Sequence, residues 1–166
     1  MQINGLIYNL PKELKCLIGA FIIVLSIGFY TGLLFVGETS SANPNGIEEQ
    51  YLGNEQVEEA TVMKFKKSER EMLTLVHNHI LSMSIIFFLV GIILSLTKLN
   101  KKLKLFLMIE PFISVILTFG GLYLLWTGLL WMKYIVMISG ILMTLSFTSS
   151  VLIICFQLLQ PKTKTA

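Results

Sequence analysis

At 166 residues, with 54% hydrophobic and 14% charged side chains and a mean hydropathy of +0.75, the chain lies outside the range of water-soluble domains. Its net charge of +3 comes from short lysine groups beside apolar runs. A basic stripe interleaved with stacking aromatics is lacking, so nucleic acid is excluded as a partner and a lipid bilayer is expected.

Residues 4–10 mix Asn4, Gly5 and Asn9 with Leu6, Ile7, Tyr8 and Leu10, a pattern expected to rest at the membrane interface before Pro11 sets a helix start. The first predicted span covers 12–36. Its apolar run exceeds the roughly 7 to 15 residues of a signal-peptide core, so it reads as a retained anchor. Within it, the Gly28-x-x-x-Gly32 spacing would let another backbone approach closely. The two cysteines, Cys16 and Cys155, imply neither a disulfide framework nor a C-x-x-C redox pair.

Residues 37–68 form the one sizeable extramembrane loop. Asn43-Pro44-Asn45-Gly46 has turn chemistry, and Ile47 and Tyr51, four apart before Gly53-Asn54, suggest a helical turn or two with a glycine stop. Glu38, Glu48, Glu49, Glu55, Glu58 and Glu59 make the loop acidic, either a solvated cap over the bundle or a docking surface for a basic partner. Ser68-Glu69-Arg70-Glu71 is a capping box, so the second span should begin at Glu69 and cover 69–97.

That span carries both histidines, His77 and His79, roughly 12 to 15 Å below its charged lip. Two residues apart on a helix is about 200° of rotation, so the rings point to nearly opposite sides and cannot clamp one haem between them. Haem b would need a methionine or a neighbouring subunit as its second ligand. Copper fits better locally, because His79 and Met83 are four apart on one face and Met132 and Met137 lie at a comparable depth. Gap-filling methionines and hydrogen-bonded histidines are the competing structural reading, and proton handling is the third. His79 is expected to be the inward ring, since Leu75, Ser82, Met83 and Ile86 share its side.

Lys98, Lys101, Lys102 and Lys104 crowd the next link. With Lys12, Lys15, Lys162 and Lys164 they place eight of the thirteen basic residues on one side, against Lys64, Lys66, Lys67, Arg70 and Lys133 on the other. Both termini are therefore expected in the cytoplasm and the loop in the periplasm of a bacterial inner membrane. The third span, 105–127, is interrupted by Glu110-Pro111. The expectation is that Pro111 opens the helix and Glu110 faces its positive end at the interface, with 105–109 along the membrane surface. A buried carboxylate on a proton or cation path is the alternative. Trp126, Trp131, Tyr123 and Tyr134 surround Thr127-Gly128 as an aromatic belt. The fourth span, 131–159, lines up Gly140, Thr144 and Thr148 as a narrow contact ridge. No phosphate loop, H-E-x-x-H, Gly-x-Ser-x-Gly or aspartate occurs, so the residues point to no enzymatic reaction.

The expected fold is all-α: one membrane domain, a four-span transmembrane helix bundle with up-down topology and one periplasmic loop between spans 1 and 2. The run Gly46-Ile47-Glu48-Glu49-Gln50-Tyr51-Leu52-Gly53-Asn54-Glu55, followed by Lys67-Ser68, Glu71-Met72-Leu73, His77-Asn78-His79 and Leu81-Ser82-Met83, resembles a group of small uncharacterised four-helix bacterial membrane proteins. The resemblance implies an inner-membrane protein whose loop and H-x-H segment belong together, and it brings no established activity. The leading functional reading is a non-catalytic subunit or accessory factor of a larger membrane assembly, for example a respiratory one, with protein subunits as partners. The alternatives are a haem- or copper-binding redox protein using His77 and His79, and a small proton-coupled transporter using Glu110.

Overall fold

The computed structural model describes residues 4–55 and 62–161, so Glu58 and Glu59 of the acidic loop and Lys162 and Lys164 of the tail lie outside the described residues. Among the described residues four helices are long and apolar enough to cross a bilayer: Lys12–Ser40, Glu69–Ser95, Lys101–Trp126 and Met132–Leu158, hereafter spans 1 to 4. Among the described residues every regular element is helical, which makes the chain an all-α membrane bundle. Short links after spans 2 and 3 force spans 2, 3 and 4 into antiparallel contact. Span 3 is the central helix, with half of its apolar window buried, against 11% in span 1.

The helix ends show why these residues stop and start where they do. Ser68 Oγ accepts from the Glu71 N–H at 3.3 Å, and Glu71 Oε2 accepts from the Ser68 N–H at 2.8 Å, so the capping box opens span 2. Asn100 caps span 3 by accepting from the Lys102 N–H at 2.9 Å. At the exit of span 2, Lys104 Nζ donates to the carbonyls of Ser95 and Thr97 and to Asn4 Oδ1. Lys15 Nζ likewise reaches the Gln160 carbonyl at 3.3 Å, just past the end of span 4. Two of the lysines that set the charge bias thus also satisfy carbonyls at helix C-termini, where the helix dipole favours a cation.

Two local expectations need correction. Residues 4–10 are more than a free interfacial strip: a 3₁₀ turn at Leu6–Asn9 drives Ile7 into the lysine end of the bundle, fully buried, with its N–H bonded to the Leu96 carbonyl at 3.1 Å. Gly5, in the left-handed region at φ 84°, makes that inward turn. The Asn43-Pro44-Asn45-Gly46 stretch is the start of a helix, Pro44–Leu52, rather than a free turn. Asn43 Oδ1 accepts from the Gly46 N–H at 2.8 Å and Pro44 takes the first helical position, where its missing N–H costs nothing. The helix ends at Gly53, whose N–H returns to the Glu49 carbonyl. Span 1 correspondingly runs on to Ser40, beyond the expected end at 36.

This loop helix is packed against the opposite end of the bundle. Lys133 Nζ bonds Glu48 Oε2 at 2.7 Å and Asn45 Oδ1 at 3.0 Å, Lys64 Nζ reaches the Thr39 carbonyl, and Trp126 Nε1 donates to the Lys67 carbonyl at 2.7 Å. Burial beneath the returning chain pushes the Tyr51 phenol above the usual tyrosine range. Trp126 is therefore pinned to the loop, while Trp131 and Tyr134 project outward as belt residues do.

Candidate functional site

Span 3 does not break at Glu110-Pro111. It starts at the Asn100 cap and continues through Pro111, so residues 105–109 lie within the span and Glu110 sits nine residues along it, about 13 Å from Lys101. The interfacial placement of Glu110 is thereby overturned: the side chain is 8% exposed, within the bundle. Pro111 has no N–H to give the Leu107 carbonyl, and five residues later the backbone widens into a π turn, Ile116–Gly120.

The face that Glu110 shares with Ser114 and Thr118 is turned to span 4. Thr118 Oγ1 and Ser139 Oγ are bonded at 2.8 Å, and Gly121 comes so near that an added Cβ would meet Val136 Cγ2 at 2.9 Å. On span 4 the buried stripe is Ser139, Met143, Ser146, Ser150, Ile154 and Gln157, a three- and four-residue spacing. At the lysine end Gln157 closes the seam, its Oε1 accepting from the Lys98 N–H at 2.7 Å and its Nε2 donating to the Lys98 carbonyl at 3.1 Å. Ser114 Oγ donates to Glu110 Oε1. Glu110 Oε2 is buried and has no hydrogen-bond partner.

The expected ridge of Gly140, Thr144 and Thr148 lies beside this stripe. Thr148 Oγ1 meets Tyr30 OH of span 1 at 2.8 Å, whereas a side chain at Gly140 would meet nothing within 4 Å. Span 1 leans on span 4 at a few points: that bond, the stacking of Phe29 on Phe147 at 4.0 Å, and Lys15 at the lysine end. Its Gly28 and Gly32 positions face open space, so the close approach their spacing suggested does not occur among the described residues.

Residues 41–165 match the model of a family described as a transmembrane helical domain. The chain belongs to this Aq_1264_TM family. The Aq_1264_TM match takes in the loop helix and spans 2 to 4, the part that packs most closely, and stops short of span 1. No curated protein and no solved structure matches the chain.

Within the Aq_1264_TM unit, both histidines lie on span 2 with exposed side chains. His79 turns toward span 3, its ring stacked on Phe119 at 4.7 Å, and its Nδ1 bonds the Leu75 carbonyl at 2.8 Å. Met83, one turn on, is half-buried. Met132 is buried against Gly121 and lines an apolar groove with Leu73, Val76 and Tyr123. Among the described residues no group of three or more His, Cys, Asp or Glu side chains gathers as a metal site would require. The hydroxyl seam beside Glu110 escaped the reading of the sequence; its signal was the spacing of Ser139, Ser146 and Ser150 opposite Ser114 and Thr118.

Proposed function

We propose that this membrane protein is a non-catalytic subunit or accessory factor of a larger assembly in a bacterial inner membrane, with both termini in the cytoplasm and the loop in the periplasm. The observation that carries the reading is the free face of span 1, a helix outside the family match whose Gly28 and Gly32 leave room for another backbone. Small residues at helical spacing are the usual means by which membrane helices meet, because lipid supplies no hydrophobic drive for that contact. The partner expected there is a transmembrane helix of another subunit. In a mild detergent the wild-type protein should run as a larger species than its own mass, and Gly28→Leu with Gly32→Leu should release it. A wild-type species of single-chain mass in native membranes and in detergent alike would defeat the reading.

A second reading, haem b or copper held through His79, has one specific support. Donation from Nδ1–H to the Leu75 carbonyl would leave Nε2 as the free nitrogen, the arrangement in which a metal-binding histidine is oriented by a backbone oxygen. Met83 is the accompanying soft donor for copper. Metal analysis and a visible spectrum of purified protein decide it: without either metal or a Soret band, His79 is a stacked and hydrogen-bonded structural residue.

A further inference from the structure

We infer that Glu110 carries an exchangeable proton in the membrane interior, and that the hydroxyls of Ser114, Thr118, Ser139, Ser146 and Ser150 are the polar seam along which that proton is exchanged. The inference goes beyond the accessory role and stands on different residues.

The carboxyl group is committed on one side only. Oε1 is held by the Ser114 hydroxyl, while Oε2 is buried without a partner. No cation answers it: among the described residues the ion pairs are Lys67–Glu71 and Lys133–Glu48, both at the loop end. The inferred proton would spare the bundle an unpaired charge, which is far more costly to bury in hydrocarbon than an unpaired neutral hydroxyl.

Buried hydroxyls line the same contact between spans 3 and 4. The Thr118–Ser139 bond fixes the antiparallel register of spans 3 and 4. Counting back eight residues from Thr118 reaches Glu110, and counting on eight from Ser139 reaches Phe147, so Ser146 and Ser150 bracket the level of the carboxyl group. Both serines are buried. Toward the loop end the polar positions are Ser114, bonded to Glu110, and one turn on the Thr118–Ser139 pair, where Thr118 rides on the π turn, the irregular part of the helix. Such turns recur at functional sites in helices. Of the other titratable groups on the packed elements, Tyr8, Lys98, Lys101, Lys102, Lys104 and Cys155 lie toward one end and Glu69, Arg70, Glu71, His77, His79, Tyr123, Lys133 and Tyr134 toward the other, while Tyr30 of span 1 lies near the depth of Glu110 and is bonded to Thr148.

Infrared difference spectroscopy of the full chain in lipid, comparing wild type with Glu110→Gln across an acid-to-alkaline titration, tests the proposal directly. The expected result is a protonated-carboxyl stretch above the amide bands that shifts in heavy water, is lost at high pH and is missing from Glu110→Gln. Ser114→Ala should displace the band, and adding sodium ions should leave it unchanged. Dicyclohexylcarbodiimide, which reacts with protonated carboxyls in apolar surroundings, should modify Glu110 and no acidic residue of the loop. The proposal is overturned by a wild-type spectrum with no such band at any pH, by a band that never titrates or exchanges, or by a band that sodium removes. None of these results depends on whether a partner occupies span 1.

Discussion

Replacing Gly46 by alanine should undock the loop helix. A Cβ at this position would stand 1.8 Å from the Ser40 carbonyl oxygen and 2.7 Å from its carbon, both backbone atoms that no rotamer change can move. A carbon and an oxygen in contact settle near 3.3 Å, so the helix must retreat by about 1.5 Å. That stretches the bonds from Lys133 to Glu48 and Asn45, now 2.7 and 3.0 Å, past useful range. Overpacking of this kind costs about 3 kcal/mol, a factor of roughly 100 in the population of the docked loop. Limited proteolysis from the loop side of sealed vesicles reads that population directly. Gly19→Ala is the control, since its Cβ would meet nothing within 4 Å, and its cleavage rate should match wild type. Equal protection of Gly46→Ala and wild type would refute the packing described for Ser40 and the loop helix.

The same assay should show Ser68→Ala loosening the start of span 2 at a cost of about 1 kcal/mol, through loss of the capping box; unchanged protection would place the helix start elsewhere. Lys104→Met should destabilise the lysine end by about 1–2 kcal/mol by stranding the carbonyls of Ser95 and Thr97, seen as a lower melting temperature in detergent, and an unchanged value would mean that water serves those carbonyls as well. Cysteine placed at Ser41 should react with an impermeant thiol reagent in intact cells and cysteine at Asn100 should not; the reverse pattern would invert the topology. If the purified protein holds haem or copper, His79→Ala should abolish it and His77→Ala should leave it largely in place, and loss with His77→Ala alone would reverse the assignment.

The membrane spans were legible because an apolar run of that length has few other uses, and the capping box because its four residues are a local pattern with a local cause. What the sequence left ambiguous was decided by contacts distant along the chain. Asn43-Pro44 suits a turn and a helix start equally, and Lys133, 89 residues after Pro44 and bonded to Asn45 and Glu48, belongs to the packing that accompanies the helix. Glu110 was singled out but misplaced, since a proline can sit inside a membrane helix whose neighbours absorb the irregularity. On span 4, moving the contact stripe from Gly140 to Ser139 is one residue in the sequence and about 100° around the helix. Small residues on both stripes look alike until a partner helix chooses between them.

The contacts of span 1 carry a consequence for how the protein is made. Tyr30 is separated from Thr148 by 118 residues, and Lys15 from Gln160 by 145. Synthesis delivers span 1 to the bilayer long before the span 4 residues it rests on exist. Until the fourth helix emerges, the first must wait in lipid with its aromatic side chains unmatched, open to capture by any other helix nearby. Span 1 meets the loop helix at its Ser40 end as soon as that helix is made, but its lipid-embedded part finds span 4 only at the end, and a truncation that removes span 4 would leave that part unseated.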